Sequence, residues 1–422
     1  MTADIITIGD ELLIGQVVDT NSSWIARQLN LAGISIRCRT AVGDKAEQIT
    51  EALDTAIVHS DIVIITGGLG PTRDDLTKQT LARWLGVELV FDRATFDRVE
   101  RLLTSRGIDP GGINRSQAML PEGCRILPND LGTAPGMWME REGRVIISLP
   151  GVPFEMKGLM EGQVLGMLRE RFPTESIIHR TALCFGLAES TLAERIESWE
   201  DALPHWLRLA YLPNPSGVRL RLSAYGVDPL LAGREIDERF ERLRQLVPDY
   251  FVGFYDSVNQ AVADLLTASG HTLAVAESCT GGAISASLTA MAGASAYLLG
   301  SVVSYSNELK QSVLAVDAGD LERYGAVSRQ VAEQMAVGVR RLCNSDYALA
   351  TTGIAGPGGG TPLKPVGTVW IAVATPSELF SHMIRLGDLR EQNIARASAS
   401  AVNMLRLLLI GRPEVATSDG LL

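Results

Sequence analysis

Ser278 lies in a stretch, Glu277-Ser278-Cys279-Thr280-Gly281-Gly282, whose residue types and spacing could do acyl-transfer chemistry. An apolar run at 272–276 reads as a buried strand, and a helical pattern follows at 283–290. A hydroxyl in such a turn can cap the helix. It can also act as a nucleophile, with free N–H groups near Thr280 and Gly281 holding a developing oxyanion. Serine is a poor nucleophile unless a base takes its proton. No histidine obviously serves: His59, His179 and His205 precede this region, His271 only precedes its first strand, and His382 falls mid-strand. A lysine made neutral by burial can replace histidine, and Tyr305-Ser306-Asn307-Glu308-Leu309-Lys310, starting where a strand at 300–305 ends, supplies one. Taken singly, Lys310 also reads as a solvated helix residue and Tyr305 as a core aromatic. Cys279 offers a thiol at the same turn, with little beyond the helix end to generate a thiolate.

A second constellation lies near the N-terminus. Gly67-Gly68-Leu69-Gly70 puts three glycines in four positions, between a strand at 61–65 and a helix at 77–85. Such a backbone can approach an anionic group closely, and the following helix points its N–H groups at the same place. Asp74 and Asp75, with Asp44 and the pair Asp10-Glu11, could ligate Mg²⁺ or another divalent ion that bridges phosphates. Glu11, Asp44 and Asp75 are the candidate metal or water-activating residues. The bland reading stands beside it, because Thr72 with Asp75 and Asp44 with Glu47 each have capping-box spacing.

The elements that must position these residues fall into blocks. At 422 residues the chain is too long for one ordinary core. Residues 1–172 alternate strands (4–8, 34–42, 61–65, 144–149) with helices (21–32, 47–58, 77–85, 154–171), which implies a doubly wound, parallel α/β domain with ligands at the carboxyl ends of its strands. Residues 173–255 read as a small α+β connector, with strands at 180–185 and 218–225 and helices at 188–199 and 230–246. Residues 256–412 form another α/β domain, whose helix at 330–342 is capped by Ser328, and 413–422 are a tail.

Hydrophobic residues at 46% and charged residues at 21% place the chain among soluble globular proteins. A net charge of -11 argues against a general nucleic-acid binder, which needs a basic surface. Five scattered cysteines in no metal spacing point to reduced thiols, and the absence of a signal peptide or apolar span to a cytoplasmic protein with no membrane partner.

Several of these motifs carry a resemblance. Gly9-Asp10-Glu11-Leu12-Leu13, Asp19-Thr20-Asn21, the stretch 67–77, the stretch 129–136 and Leu149-Pro150-Gly151-Val152-Pro153 resemble the N-terminal domain of the CinA family. That domain is similar to the molybdopterin-binding fold of MogA and MoeA proteins. The resemblance implies metal-dependent hydrolysis of ADP-ribose, with Gly67, Gly68 and Gly70 gripping the diphosphate; related domains handle molybdopterin. Phe185-Gly186-Leu187-Ala188-Glu189-Ser190 and 218–224 resemble the family's KH-like segment, but lack the GxxG clamp of a nucleic-acid KH domain. The connector is therefore expected to join or dimerise rather than bind RNA.

Ala276-Glu277-Ser278-Cys279-Thr280-Gly281-Gly282, Tyr305-Ser306-Asn307 with Lys310, Gly325-Ala326-Val327-Ser328 and Thr351-Thr352-Gly353-Ile354-Ala355-Gly356-Pro357 resemble the family's C-terminal domain, the nicotinamide mononucleotide (NMN) deamidase called PncC when it stands alone. The resemblance implies a catalytic pair of Ser278 and Lys310, with Tyr305 and Thr352 lining the site, ammonia leaving after protonation through Lys310 or Tyr305, and no cofactor. It implies further that Gly356 and Gly358, with Arg390 or Arg396, hold the substrate's 5'-phosphate, and that the protein is a homodimer. A rival expectation is a non-catalytic nucleotide sensor linked to competence or DNA damage.

Overall fold

The computed structural model describes residues 1–72, 75–108, 112–172, 177–214 and 217–418, so Asp74 lies outside the described residues. The chain divides into two compact units, residues 1–178 with 224–229, and residues 179–223 with 230–422.

In the first unit strands β1 (Thr2–Ile8), β2 (Ser35–Val42) and β3 (Ile62–Thr66) are followed by a two-strand ribbon of β4 (Leu89–Phe91) and β5 (Met119–Pro121). Strands β6 (Arg125–Leu127), β7 (Gly136–Arg141) and β8 (Arg144–Leu149) complete the main sheet, in the order β2-β1-β3-β8-β7-β6. β1 pairs in parallel with β2 and β3, and β3 with β8, as the alternating pattern implies. β7 and β6 extend the sheet antiparallel. They are a correction to an all-parallel expectation, and β6, at three residues, is too short to show a period. Every residue of β3 is buried because both faces are covered. Ile25, Leu29, Met156 and Leu168 pack on one face, and Ile49, Leu53 and Leu81 on the other.

The second unit holds two sheets. β9 (Ile177–Cys184), β10 (Leu207–Asn214), β11 (Gly217–Tyr225) and β12 (Phe251–Gly253) are ordered β10-β11-β9-β12 and accompany the helices Glu189–Asp201 and Pro229–Leu246. β13 (Leu273–Glu277), β14 (Leu298–Val303), β15 (Tyr347–Gly353), β16 (Thr368–Ala374) and β17 (Leu379–Arg385) are ordered β14-β13-β15-β16-β17. β13 is parallel to both β14 and β15, whereas β16 and β17 are antiparallel additions. Val262, Leu266, Ile284 and Leu405 cover one face, and Leu314, Val331, Met335 and Val339 the other. Leu183 and Phe185 of the connector belong to the same core as Val262 and Leu273.

The chain leaves β13 for β14 on one side and later enters β15 on the other. The carboxyl end of β13 therefore opens at a switch point, where α/β sheets form their ligand crevices. Among the described residues no helix is long and apolar enough to cross a membrane.

Candidate functional site

Ser278 is the first residue after β13. Its N–H donates to Thr351 O at 3.0 Å, which ties it to the neighbouring strand β15. Lys310 arrives from the next strand over. β14 ends at Val303, Ser306 caps the helix Asn307–Leu314 by accepting from the Leu309 N–H, and Lys310 lies in that helix's first turn. A long side chain there points back toward the helix N-terminus, so Lys310 folds onto the strand end from which its own helix departs.

The lysine is 1% exposed. Its Nζ lies 3.0 Å from Ser278 Oγ, 2.7 Å from Ser304 O and 3.4 Å from Tyr305 O. Burial lowers its pKa from the usual lysine value, opposed by the Cys279 side chain. A neutral amine has two N–H bonds and one lone pair. The two carbonyls can take the N–H bonds, which leaves the lone pair for the Ser278 hydroxyl. That is the geometry of a general base.

The cleft above this pair has a volume of about 280 Å³ and is lined by Ser278, Lys310, Tyr305, Thr352, Gly356, Gly358 and Arg390, among others. Arg390 Nη1 donates to Gly356 O at 2.9 Å and Nη2 to Tyr305 OH at 3.2 Å, so the guanidinium bridges the two walls. Arg396, further along the same helix, is exposed and does not line the cleft, so Arg390 is the arginine at the site. Thr352 lines the wall while its hydroxyl donates to Ala326 O.

The structure corrects the sequence reading at the turn itself. Gly281 N–H donates to Ser278 O at 3.1 Å, and the Thr280 hydroxyl is buried 2.8 Å from Thr351 Oγ1; neither residue lines the cleft. The helix N-terminus is not free either, because the Glu277 carboxylate accepts from the N–H groups of Gly282, Ile284 and Ser285. Cys279 joins the hydrophobic core, and burial pushes its thiol up to about 12, which removes it as a thiolate nucleophile near neutral pH.

Two residues near the site escaped the sequence reading. Glu277 could have been found as a carboxylate ending an apolar strand just before Gly-Gly and a helix. Asn393, one turn after Arg390, is 1% exposed and donates to Ala355 O and Gly387 O, holding the glycine loop against the segment that carries Arg390. No local signal marks that role.

In the first unit the glycine loop is folded tightly on its surroundings. A Cβ on Gly67 (φ +116°) would lie 2.2 Å from Ile8 O, and one on Gly68 would lie 2.2 Å from Thr77 Oγ1. Gly67 N–H already donates to Leu149 O, so it is not available to a phosphate, and Gly70 packs against the Asp75 carboxylate. The predicted acids are also engaged. Asp44 accepts from the Asp10 N–H at 3.0 Å, Asp75 accepts from the Thr72 N–H at 2.9 Å, and Glu11 is exposed and folds back over Gly9.

Among the described residues no three such side chains are grouped closely enough to hold a metal ion, so Glu11, Asp44 and Asp75, the candidate metal or water-activating residues, do not form a ready cage. The acids nevertheless feel one another. The Asp44 carboxyl is raised from its ordinary value first by burial and then, against the Asp10 N–H bond, by the charges of Asp10, Glu11 and Asp75. Hard oxygen donors suit a divalent cation in kind, though not in present geometry. Lys78, beside this loop, was not anticipated. It is 3% exposed, donates to Ser116 O and Gln117 Oε1, and burial lowers its pKa to about 8.

Residues 255–409 match the CinA C-terminal domain family, residues 4–170 the probable molybdopterin binding domain family, and residues 179–253 the damage-inducible protein CinA KH domain family. A CinA-like protein of Cytophaga hutchinsonii is 45% identical over 405 residues, covering 96% of this chain and 97% of that protein. A CinA-like protein of Flavobacterium psychrophilum is 44% identical over 408 residues, with coverages of 96% and 98%. The crystal structure of competence/damage inducible protein CihA from Agrobacterium tumefaciens is similar to 36% of this chain and 93% of its own, at 39% identity and a TM-score of 0.35.

Proposed function

The chain belongs to the CinA family, and from that premise and the Lys310–Ser278 contact we propose that its C-terminal domain is an amidohydrolase that converts NMN to nicotinate mononucleotide and ammonia. The observation that carries this reading is the buried Lys310 amine 3.0 Å from Ser278 Oγ with two carbonyls accepting beside it. In this reading Lys310 takes the Ser278 proton as Oγ attacks the carboxamide carbon. The C–N bond then breaks, and ammonia leaves with the proton returned by Lys310. Water, activated by the same amine, releases nicotinate mononucleotide from the acyl-enzyme.

Gly281 N–H is already used and Thr280 does not line the cleft, so in this reading the oxyanion is left to the backbone N–H of Cys279, the turn residue that lines the cleft beside Ser278. Arg390 keeps further N–H bonds beyond those to Gly356 and Tyr305, which suits a 5'-phosphate. The test is ammonia release from NMN by purified protein with Ser278→Ala as control. Stoichiometric NMN binding without turnover in the wild type would favour the nucleotide sensor instead.

For the N-terminal domain we propose as a second reading a metal-dependent ADP-ribose pyrophosphatase, supported by the place of Asp10 and Asp44 side by side, each carboxylate accepting from the other's backbone N–H. In this reading Glu11, Asp44 and Asp75 would have to draw together to hold a divalent cation, which would supply charge to offset the diphosphate and an activated water. ADP-ribose incubated with and without a chelator, and with Asp75→Asn, tests it. Turnover that survives both treatments rejects it, and molybdopterin-related chemistry becomes the alternative.

A further inference from the structure

We propose that Glu277 is the positioning residue of the Ser278 turn, a carboxylate that locks nucleophile and base into register without touching substrate. Glu277 ends β13 and is fully buried. Its Oε2 accepts from Gly282 N–H at 3.0 Å and Ile284 N–H at 3.1 Å, and its Oε1 accepts from Ser285 N–H at 2.9 Å and Ser285 Oγ at 2.5 Å. The Ser285 hydroxyl in turn contacts Ser301 Oγ of β14 at 2.5 Å. The chain thus leaves the strand at Glu277, passes through Ser278 to Gly281, and returns to the side chain of the residue it left. Residues 278–281 are the arc of a ring closed by one carboxylate.

The main chain of Glu277 serves the base as well. Its carbonyl accepts from Ser304 N–H at 2.9 Å, and the Ser304 carbonyl holds Lys310 Nζ. Both members of the pair are therefore referenced to a single residue. The N–H donors and the helix N-terminus they belong to compensate the buried negative charge. They also mean that this helix end supports the turn and does not bind the substrate phosphate.

Because this inference rests on the serine-hydrolase reading of the same site, its test uses two measurements on the full chain. The first is the rate at which a fluorophosphonate labels Ser278, followed by intact mass, with Ser278→Ala as the blank. Oγ forms an O–P bond as the P–F bond breaks, and the proton passes to Lys310. The second is kcat and KM for ammonia release from NMN.

Glu277→Gln keeps the size but cannot accept on both ends. We expect labelling and kcat to fall together by about 10-fold or more, the loss a small misplacement produces, with KM within about twofold of wild type and the pH limb set by Lys310 unmoved. Ser285→Ala, which leaves three of the four donors, is expected to show a smaller fall and covers the case in which Glu277→Gln does not fold. Unchanged labelling in a folded variant overturns the proposal, as does a change in KM alone or a shifted pH limb. If the wild type is labelled but does not consume NMN, the substrate reading fails while the labelling rates still decide the role of Glu277. If the wild type is not labelled, both fall.

Discussion

In the proposed reaction Lys310 can take the serine proton only while it is neutral, so its burial would tie rate to pH. Its folded pKa is lowered from 10.5, and kcat/KM for NMN should rise with pH along a limb that lies below 10.5. Lys310→Arg should remove that activity, because a guanidinium stays protonated, and Lys310→Met should do the same; activity in either variant would exclude Lys310 as the base. Lys78 offers a stability counterpart. Its pKa is about 8 in the fold against 10.5 for the unfolded chain. Between those values the unfolded state binds more protons, so stability rises with pH across that window, by up to about 3 kcal/mol. Below pH 8 the full cost of charging a buried amine is present. Urea unfolding at pH 8 and pH 10 should show the rise in wild type and a flatter response in Lys78→Met; equal slopes would mean that the ammonium is solvated.

At the scale of elements, the site depends on how closely backbones approach. Gly338 lies inside the helix Arg329–Cys343, where alanine is intrinsically preferred by about 1 kcal/mol. A Cβ there would lie 2.1 Å from Leu314 O, at the end of the helix that carries Lys310. Gly338→Ala should therefore destabilise, by about 1–3 kcal/mol of overpacking, and should reduce Ser278 labelling as the Lys310 helix is pushed away. A stabilised variant in urea unfolding would show that the contact relaxes freely. The helices Asn307–Leu314 and Ala318–Tyr324 also explain why the region around Lys310 was hard to read. They are short, capped by Ser306 and Asp317, and packed by only a few apolar residues each, so they carry little periodic signal.

For the whole molecule, the connector and the C-terminal domain share a core, since Leu183 and Phe185 pack with Val262 and Leu273. A fragment of residues 179–418 should melt at a higher temperature than one of residues 256–418, because the shorter one exposes the apolar surface those two side chains cover. Equal melting temperatures would show that the shared core adds no stability. Arg219 of the connector lies 3.6 Å from Asp256, within the same unit.

Much was fixed by the order of residues alone. The strands of the parallel sheets, the turn with Ser278 at a strand's end and the glycine loop at 67–70 followed from local periodicity and turn residues, properties set by residues within a turn or a strand of one another. The pairing of Ser278 with Lys310, 32 residues apart, was legible only through the order of the family's motifs. The tertiary structure decided the rest. It selected Arg390 over Arg396, committed Gly281 and the helix N-terminus to internal bonds, buried Cys279 beyond use as a thiolate, and tied Asp44 and Asp75 to neighbouring backbone. Each of those outcomes depends on which polar groups are left unpaired once distant segments close around them, and a buried donor or acceptor takes the nearest partner the fold provides.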